Sequence, residues 1–266
     1  MQIFQVDAFS DRPFAGNPAA VCLLDAPREE EWMLAVAAEL GLSETAFVQG
    51  SASPFVLRWF TPVTEVDLCG HATLASAHVL WESARVPASE PIAFRTRSGL
   101  LTAARAPHDL PPGLIELDFP ALPSESATLP AGLTEALGIR PRQVYTAAGT
   151  YLLELESDEE VRTLRPDFGA LRAVPAMGVI VTAASEREGF DFVSRFFAPW
   201  IGIDEDPVTG FAHCVLTPYW VRRLGDRPMR AYQASARGGI VRVRLEEGRV
   251  RLGGTAVTVT AGELRV

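Results

Sequence analysis

The chain contains no lysine; all 24 basic residues are arginine. Schiff-base chemistry on a lysine and a P-loop lysine are thereby excluded, and with them pyridoxal-phosphate and Walker-type nucleotide chemistry. Cysteine is scarce. Cys22, Cys69 and Cys214 are an odd, widely spaced set, which does not make a disulfide framework. Basic charge is in deficit: the net charge is −9, which argues against a nucleic-acid partner. There is one asparagine, Asn17. No G-x-G-x-x-G fingerprint and no G-x-S-x-G elbow occur. The N-terminus (Met1 to Asp7) has neither a basic start nor an apolar core, so no secretory signal is expected. These absences point to a cytoplasmic globular protein.

What is present centres on the stretch from Phe60 to Trp81. Cys69-Gly70-His71-Ala72 opens a run without charge until Glu82. Leu74, Ala75, Ala77, His78, Val79, Leu80 and Trp81 leave almost no polar face, and a helix apolar all round is buried on all sides. The run is too short to span a bilayer. Its first turn offers free backbone N–H groups and the positive end of a dipole, a seat for a carboxylate.

Along the chain, strands are expected near Ile3–Phe9, Ala19–Leu24, Thr45–Gln49, Phe55–Phe60, Ile92–Thr96 and Leu100–Ala104. A helix is expected from Pro27 to a stop at Gly41. Pro107 to Gly113 is the candidate boundary between domains 1–113 and 114–266. Beyond it the plan restarts. Ile115, Leu117 and Phe119 alternate with acidic residues as the N-terminal strand does, and Gln143–Ala147 is matched to Thr45–Gln49. Phe197-Ala198-Pro199 echoes Phe60-Thr61-Pro62, and Gly210-Phe211-Ala212 opens a second apolar helix as Gly70-His71-Ala72 opens the first. Pro218 is expected to kink that helix. We read a degenerate internal duplication, against the plainer reading of two unrelated αβ domains. The last strand, Leu264–Val266, could return to the first domain.

Two helix starts facing one cleft would hold a small carboxylate, and Gly70 and Gly210 would let backbone approach it. Each neighbouring polar residue also has a plainer explanation. His71 is a capping or packed histidine, Glu44 an exposed carboxylate, Asn17 a turn residue between Gly16 and Pro18, and Asp206 an Asp-Pro turn opener. No metal site is expected, because Cys69-x-His71 and His213-Cys214 lack zinc-like spacing.

Five motifs together resemble the phenazine-biosynthesis isomerase family. They are Phe14-Ala15-Gly16-Asn17-Pro18-Ala19-Ala20-Val21, Ser43-Glu44-Thr45-Ala46-Phe47, Phe60-Thr61-Pro62, Cys69-Gly70-His71-Ala72-Thr73 and Glu205-Asp206-Pro207-Val208-Thr209-Gly210. The resemblance spans almost the whole chain in the right order. It implies an α+β fold of two similar domains, each a curved mixed sheet around a central helix, as in diaminopimelate epimerase. It implies a cofactor-independent isomerase and a homodimer. Carried over by motif, Glu44 is the proton-transferring acid/base, and His71 and Asp206 hold polar groups of the substrate. Asn17, Gly70, Ala72, Gly210 and Phe211 complete the substrate site. The implied partner is a small carboxylate substrate, with no metal, membrane or nucleic acid. One position departs from the family: Phe211 stands where serine is usual, removing a hydroxyl and adding a ring.

Two other functions remain open on these residues. A racemase or epimerase would use Cys69 as a thiol base and needs a second base near Gly210, where Asp206 and Cys214 stand. A non-catalytic binding protein on the same fold would have Phe211 closing off chemistry.

Overall fold

The computed structural model describes residues 1–106 and 111–265. The chain packs as two compact units. One is Met1–Phe119 with the chain from Arg251 onward; the other is Pro120–Val250. The proline-rich segment read as a boundary falls partly on residues 107–110, outside the described residues.

The first unit begins with β1 (Gln2–Ala8) and β2 (Asn17–Leu24), then α1 (Glu30–Leu40), β3 (Glu44–Gln49) and β4 (Phe55–Phe60). Next come the short β5 (Glu65–Val66), α2 (Gly70–Glu82), β6 (Ile92–Thr96), β7 (Gly99–Arg105) and β8 (Ile115–Pro120). β1 and β2 pair antiparallel, β2 and β3 parallel, β3 and β4 antiparallel. β4 pairs antiparallel with β5 and parallel with β6, and β6–β7–β8 continue antiparallel.

α2 lies against β1, β2 and β3. Eleven of its residues are buried, from Gly70 to Trp81, leaving His78 half-buried. An apolar circumference demands this, because any exposed face would leave leucine and valine in water. α1 covers a second patch through Met33, Val36 and Ala37, packed with Cys22, Leu24, Phe47 and Phe60. It stops where expected: Gly41 adopts φ 63° and its N–H returns to the Ala37 carbonyl.

In the second unit β9 (Glu125–Ser126) and α3 (Leu133–Leu137) precede β10 (Gln143–Ala147) and β11 (Thr150–Glu154). α4 (Asp158–Thr163), α5 (Phe168–Arg172), β12 (Gly178–Ala184), β13 (Phe192–Ala198) and β14 (Ile203–Asp206) follow. α6 (Gly210–Leu224) is followed by β15 (Met229–Gln233) and β16 (Gly239–Glu246). β10–β11 is antiparallel, β11–β12 parallel and β12–β13 antiparallel; β13 pairs antiparallel with β14 and parallel with β15, and β15–β16 is antiparallel. This is the pairing sequence of the first unit, strand for strand. The fold is thus α+β, two similar units with a mixed sheet and one long buried helix in each.

The duplication corrects the register read from sequence. The partner of β1 is β10 (Gln143–Ala147), not Ile115–Phe119, which is β8 and pairs with β7. The partner of β3 is β12, not β10. The misreading has a physical cause. Ile115–Phe119 alternates because one of its faces is buried, and any half-buried strand shows that period. The Phe60/Phe197 and Gly70/Gly210 matches hold, at the ends of β4 and β13 and the starts of α2 and α6. α6 is a single element through Pro218.

β17 (Arg249–Gly254) pairs with β8, and Arg251 meets Asp118 at 3.1 Å. The closing strand β18 (Ala256–Glu263) pairs antiparallel with β1, and the Leu264 N–H bonds the Met1 carbonyl. It ends before the Leu264–Val266 stretch expected as the final strand. No helix among the described residues is long and apolar enough to cross a membrane.

Because Leu80 sits fully buried in α2, Leu80→Ala is expected to cost about 2–5 kcal/mol of stability in urea unfolding. Leu100→Ala, at an exposed strand position, should shift stability by less than about 0.5 kcal/mol. Equal effects would contradict the central placement of α2.

Candidate active site

In the first unit four polar side chains meet at the start of α2. Glu44 is the first residue of β3, delivered there by the parallel β2–β3 register, in which Ala19 faces Glu44. His71 is the second residue of α2. Its Nε2 lies 3.2 Å from Glu44 Oε2, with side-chain exposures of 5% and 13%. The approach is off the hydrogen-bond line: neither atom has a hydrogen-bond partner among the described residues, although both are buried. A carboxylate and an imidazole nitrogen held together in a dry place with spare bonding capacity are poised for a third group.

The other ring nitrogen faces an amide and a thiol. Asn17 Nδ2 is 3.1 Å from His71 Nδ1, and Cys69 Sγ is 3.5 Å from the same atom. Asn17 opens β2 and is fully buried. It follows a loop pinned by the buried Asp7 carboxylate, which accepts the Phe14 N–H at 2.7 Å. Gly16 is required there: φ is +67° and a Cβ would overlap the Ala8 carbonyl oxygen.

Burial pushes the Cys69 thiol up, so Cys69 keeps its proton. Burial also works against charge on His71, while a negative Cys69 and Glu44 work for it and together carry the imidazole well above its ordinary value. With Cys69 a neutral thiol, the larger of those attractions is gone. The Asn17 amide works the other way, since an N–H donor at Nδ1 competes with a second ring proton there.

Glu44, Cys69 and His71 also bring one oxygen, one sulfur and one nitrogen within 4.8 Å of one another, a grouping their spacing in the sequence conceals. One ion does not fit all three as they stand. The thiol approaches Nδ1 and the carboxylate approaches Nε2, on opposite sides of the ring. Gly70 and Ala72 are buried in the first turn of α2, with Thr73 bonding back to the Cys69 carbonyl at 2.5 Å.

Asp206, Gly210 and Phe211 lie in the second unit. Asp206 accepts a 2.5 Å bond from the Thr209 hydroxyl, and Gln233 braces the same turn, accepting the Thr209 N–H at 2.9 Å and donating to the Asp206 carbonyl at 2.8 Å. Sequence reasoning missed Thr209 and Gln233; nothing local marks a glutamine on β15 as the partner of a turn at 206–209. Phe211 is half-buried and meets the Phe196 ring edge-on at 6.4 Å. His213 is fully buried and contacts the Thr209 carbonyl through Nδ1 at 2.8 Å; burial lowers it to about 4.

The duplication sets these residues side by side. Phe60 matches Phe197, and the β3–β4 and β12–β13 registers then put Gly178 at the position of Glu44. The β2–β3 and β11–β12 registers give the same match, with Thr150 for Ala19. Along the helices Thr209 replaces Cys69, Phe211 replaces His71 and His213 replaces Thr73. The loop before Asn17 has shrunk to the two-residue turn Ala148-Gly149.

Comparison with known proteins agrees with this architecture. The sequence profile of the PhzC-PhzF family, described as phenazine biosynthesis-like protein, matches residues 6–262. An isomerase of Pseudomonas aeruginosa is 51% identical over 267 residues, covering 100% of this chain and 99% of its own. An isomerase of Halalkalibacterium halodurans is 48% identical over 263 residues, covering 98% and 97%. The crystal structure of a PhzF-family phenazine biosynthesis protein from Enterococcus faecalis superposes with a TM-score of 0.92 at 41% identity, covering 100% of this chain and 99% of that one.

Burial of the thiols makes them slow. Cys22 and Cys214 are pushed up to about 12, and Cys69 in the same direction. Ellman's reagent at about pH 8 is expected to find three thiols in concentrated guanidinium and no rapid one in the native protein. A fast native thiol abolished by Cys69→Ala would contradict the assignment of Cys69 as a buried neutral group.

His213 predicts an acid-limb effect. The unfolded chain takes up this proton at the ordinary value of 6.5, the folded chain only at about 4. Between those values the unfolded state binds more protons, so stability falls as pH drops, by up to roughly 3 kcal/mol. His213→Asn keeps a donor for the Thr209 carbonyl and should flatten this part of the stability–pH curve in denaturant melts. An unchanged slope would exclude His213 as its source.

Proposed function

We propose, on the premise that this chain belongs to the phenazine biosynthesis-like family and is an isomerase like its named relatives, that it moves a proton between two carbons of a small, unsaturated, carboxylate-bearing amino-acid-like substrate. Glu44 takes the proton from one carbon. The electron pair of the broken C–H bond passes into the adjoining unsaturated system, and Glu44 returns the proton to a second carbon. Atoms and electrons balance without an oxidant, and a carboxylate can carry the proton unaided by a metal or organic cofactor. The resemblance also takes the enzyme to be a homodimer, and the composition of the chain suits a cytoplasmic one.

The observation that carries this reading is the Glu44–His71 pair, buried, 3.2 Å apart and without a hydrogen-bond partner among the described residues. A positioned acid/base of this kind contributes on the order of 10²–10⁴ in rate. His71 Nε2 stands beside the carboxylate, a polar group within reach of the reacting charge. The first turn of α2 adds backbone N–H groups and the positive end of a dipole, suited to the substrate carboxylate.

The second unit argues for one acid/base group rather than two. A two-base racemase built on a duplicated fold would carry a base at the matching place. Instead Gly178 stands for Glu44, Thr209 for Cys69 and Phe211 for His71. One carboxylate serving two carbons on one ligand face is the chemistry of an isomerase.

With a panel of small unsaturated amino acids in D₂O, followed by proton NMR, the protein is expected to introduce deuterium at carbon. Glu44→Gln should slow this by about 10²–10⁴-fold, while Cys69→Ala retains most of it. Uptake that survives Glu44→Gln and disappears in Cys69→Ala would overturn the isomerase reading in favour of a thiol-based racemase.

A further inference from the structure

The sole asparagine of the chain is spent behind His71. Asn17 is fully buried, and its amide nitrogen lies 3.1 Å from the His71 nitrogen that faces away from Glu44. That atom is a donor and nothing else. The Cys69 thiol, at 3.5 Å, addresses the same ring nitrogen. The amide donor calls for the Nδ1 lone pair, to which the thiol can also turn its proton, and the single proton of a neutral ring is then left on Nε2.

We propose that Asn17 is a positioning residue that fixes His71 as the Nε2–H tautomer, and thereby keeps a neutral hydrogen-bond donor, rather than a cation, beside Glu44. The consequence for turnover rests on the isomerase reading above; the tautomer is a property of the resting protein and does not.

The chain invests structure in this contact. Between β1 and β2 it inserts residues 9–16, pins them through Asp7 to the Phe14 N–H, and accepts a left-handed Phe14, φ 66°, that is 78% exposed. Residues other than glycine seldom adopt that region. The matching hairpin of the second unit dispenses with all this and turns in two residues, Ala148-Gly149. That unit has phenylalanine in place of His71, so there is no tautomer to set. The insertion and the imidazole occur together.

The electrostatic logic follows. The titratable groups facing His71 are Glu44 on β3 and Cys69 on its own helix start. A doubly protonated ring would form an ion pair with Glu44 and stabilise its ionised form, weakening it as a base. A neutral ring with the proton on Nε2 keeps a donor beside the carboxylate without the pull of a full positive charge, and so leaves more of its basicity available. A ring with the proton on Nδ1 would point a lone pair at the carboxylate and repel it.

The test is the nitrogen NMR spectrum of the full chain labelled with ¹⁵N-histidine, without substrate, with the His71 signals assigned through His71→Gln. The expected result is a pyridine-type Nδ1 and a pyrrole-type Nε2, unchanged between about pH 6 and 8. Asn17→Leu should release the ring to a mixture of tautomers. The isosteric Asn17→Asp places a carboxylate at Nδ1 and should drive the ring to the doubly protonated form. Deuterium exchange should fall in both variants, with the pH profile displaced in Asn17→Asp.

A doubly protonated His71 in the unaltered protein, or a proton on Nδ1, overturns the proposal. So does an unaltered signature in Asn17→Leu and Asn17→Asp. Should the leucine variant fail to fold, the spectrum of the unaltered protein and that of the isosteric aspartate still decide. Failure of the isomerase reading would show separately, as exchange indifferent to Glu44→Gln with the tautomer intact.

Discussion

A helix without a polar face must be surrounded, and the candidate site exists because α2 is such a helix. Leu74, Ala75, Val79 and Leu80 are fully buried. Sinking the whole helix also sinks its first turn, which carries Gly70 and His71 into a place that water would otherwise fill. The helix lies on β1, β2 and β3. The parallel register of β2 and β3 sets the first residue of β3 beside that turn, and this residue is Glu44. Apolar burial thus places a carboxylate and an imidazole together, where desolvation makes their interaction matter.

The second unit is the control that evolution supplied. It repeats the sheet order, the long apolar helix and the back-bonding at the helix start, where His213 and Thr73 both reach the carbonyl four residues before them. It does not repeat the side chains gathered at the start of α2. Gly178, Thr209, Phe211 and the Ala148-Gly149 turn stand where the first unit has Glu44, Cys69, His71 and the loop leading to Asn17. Features common to both units answer to folding. The features confined to the first make up the candidate site, and Asn17 falls among them.

Much of the scaffold was legible in residues close together along the chain. The uncharged run from Cys69 to Trp81 marks α2, Gly41 marks the end of α1, and the Phe60/Phe197 and Gly70/Gly210 echoes mark the duplication. What was not legible depends on register. β8 imitates β1 because both are half-buried. β12 and β13 are buried along almost their whole length, so they carry no alternation to read. In the site, motif resemblance pointed to Glu44 and His71, but the direction of each ring nitrogen belongs to coordinates. Asn17 lies 54 residues from His71 and reads as a turn residue until the fold closes. Motif resemblance pointed to Asp206 as well, but the bond it accepts from the Thr209 hydroxyl belongs to coordinates.

The central claim is that Glu44 handles the proton. A crystal structure with a bound substrate or unreactive analogue tests it most directly. The claim predicts one Glu44 carboxylate oxygen about 3–3.5 Å from a substrate carbon that bears an acidic hydrogen, with His71 Nε2 still beside the carboxylate. A ligand seated with its reacting carbon on Cys69, or with Glu44 turned away from it, would contradict the claim.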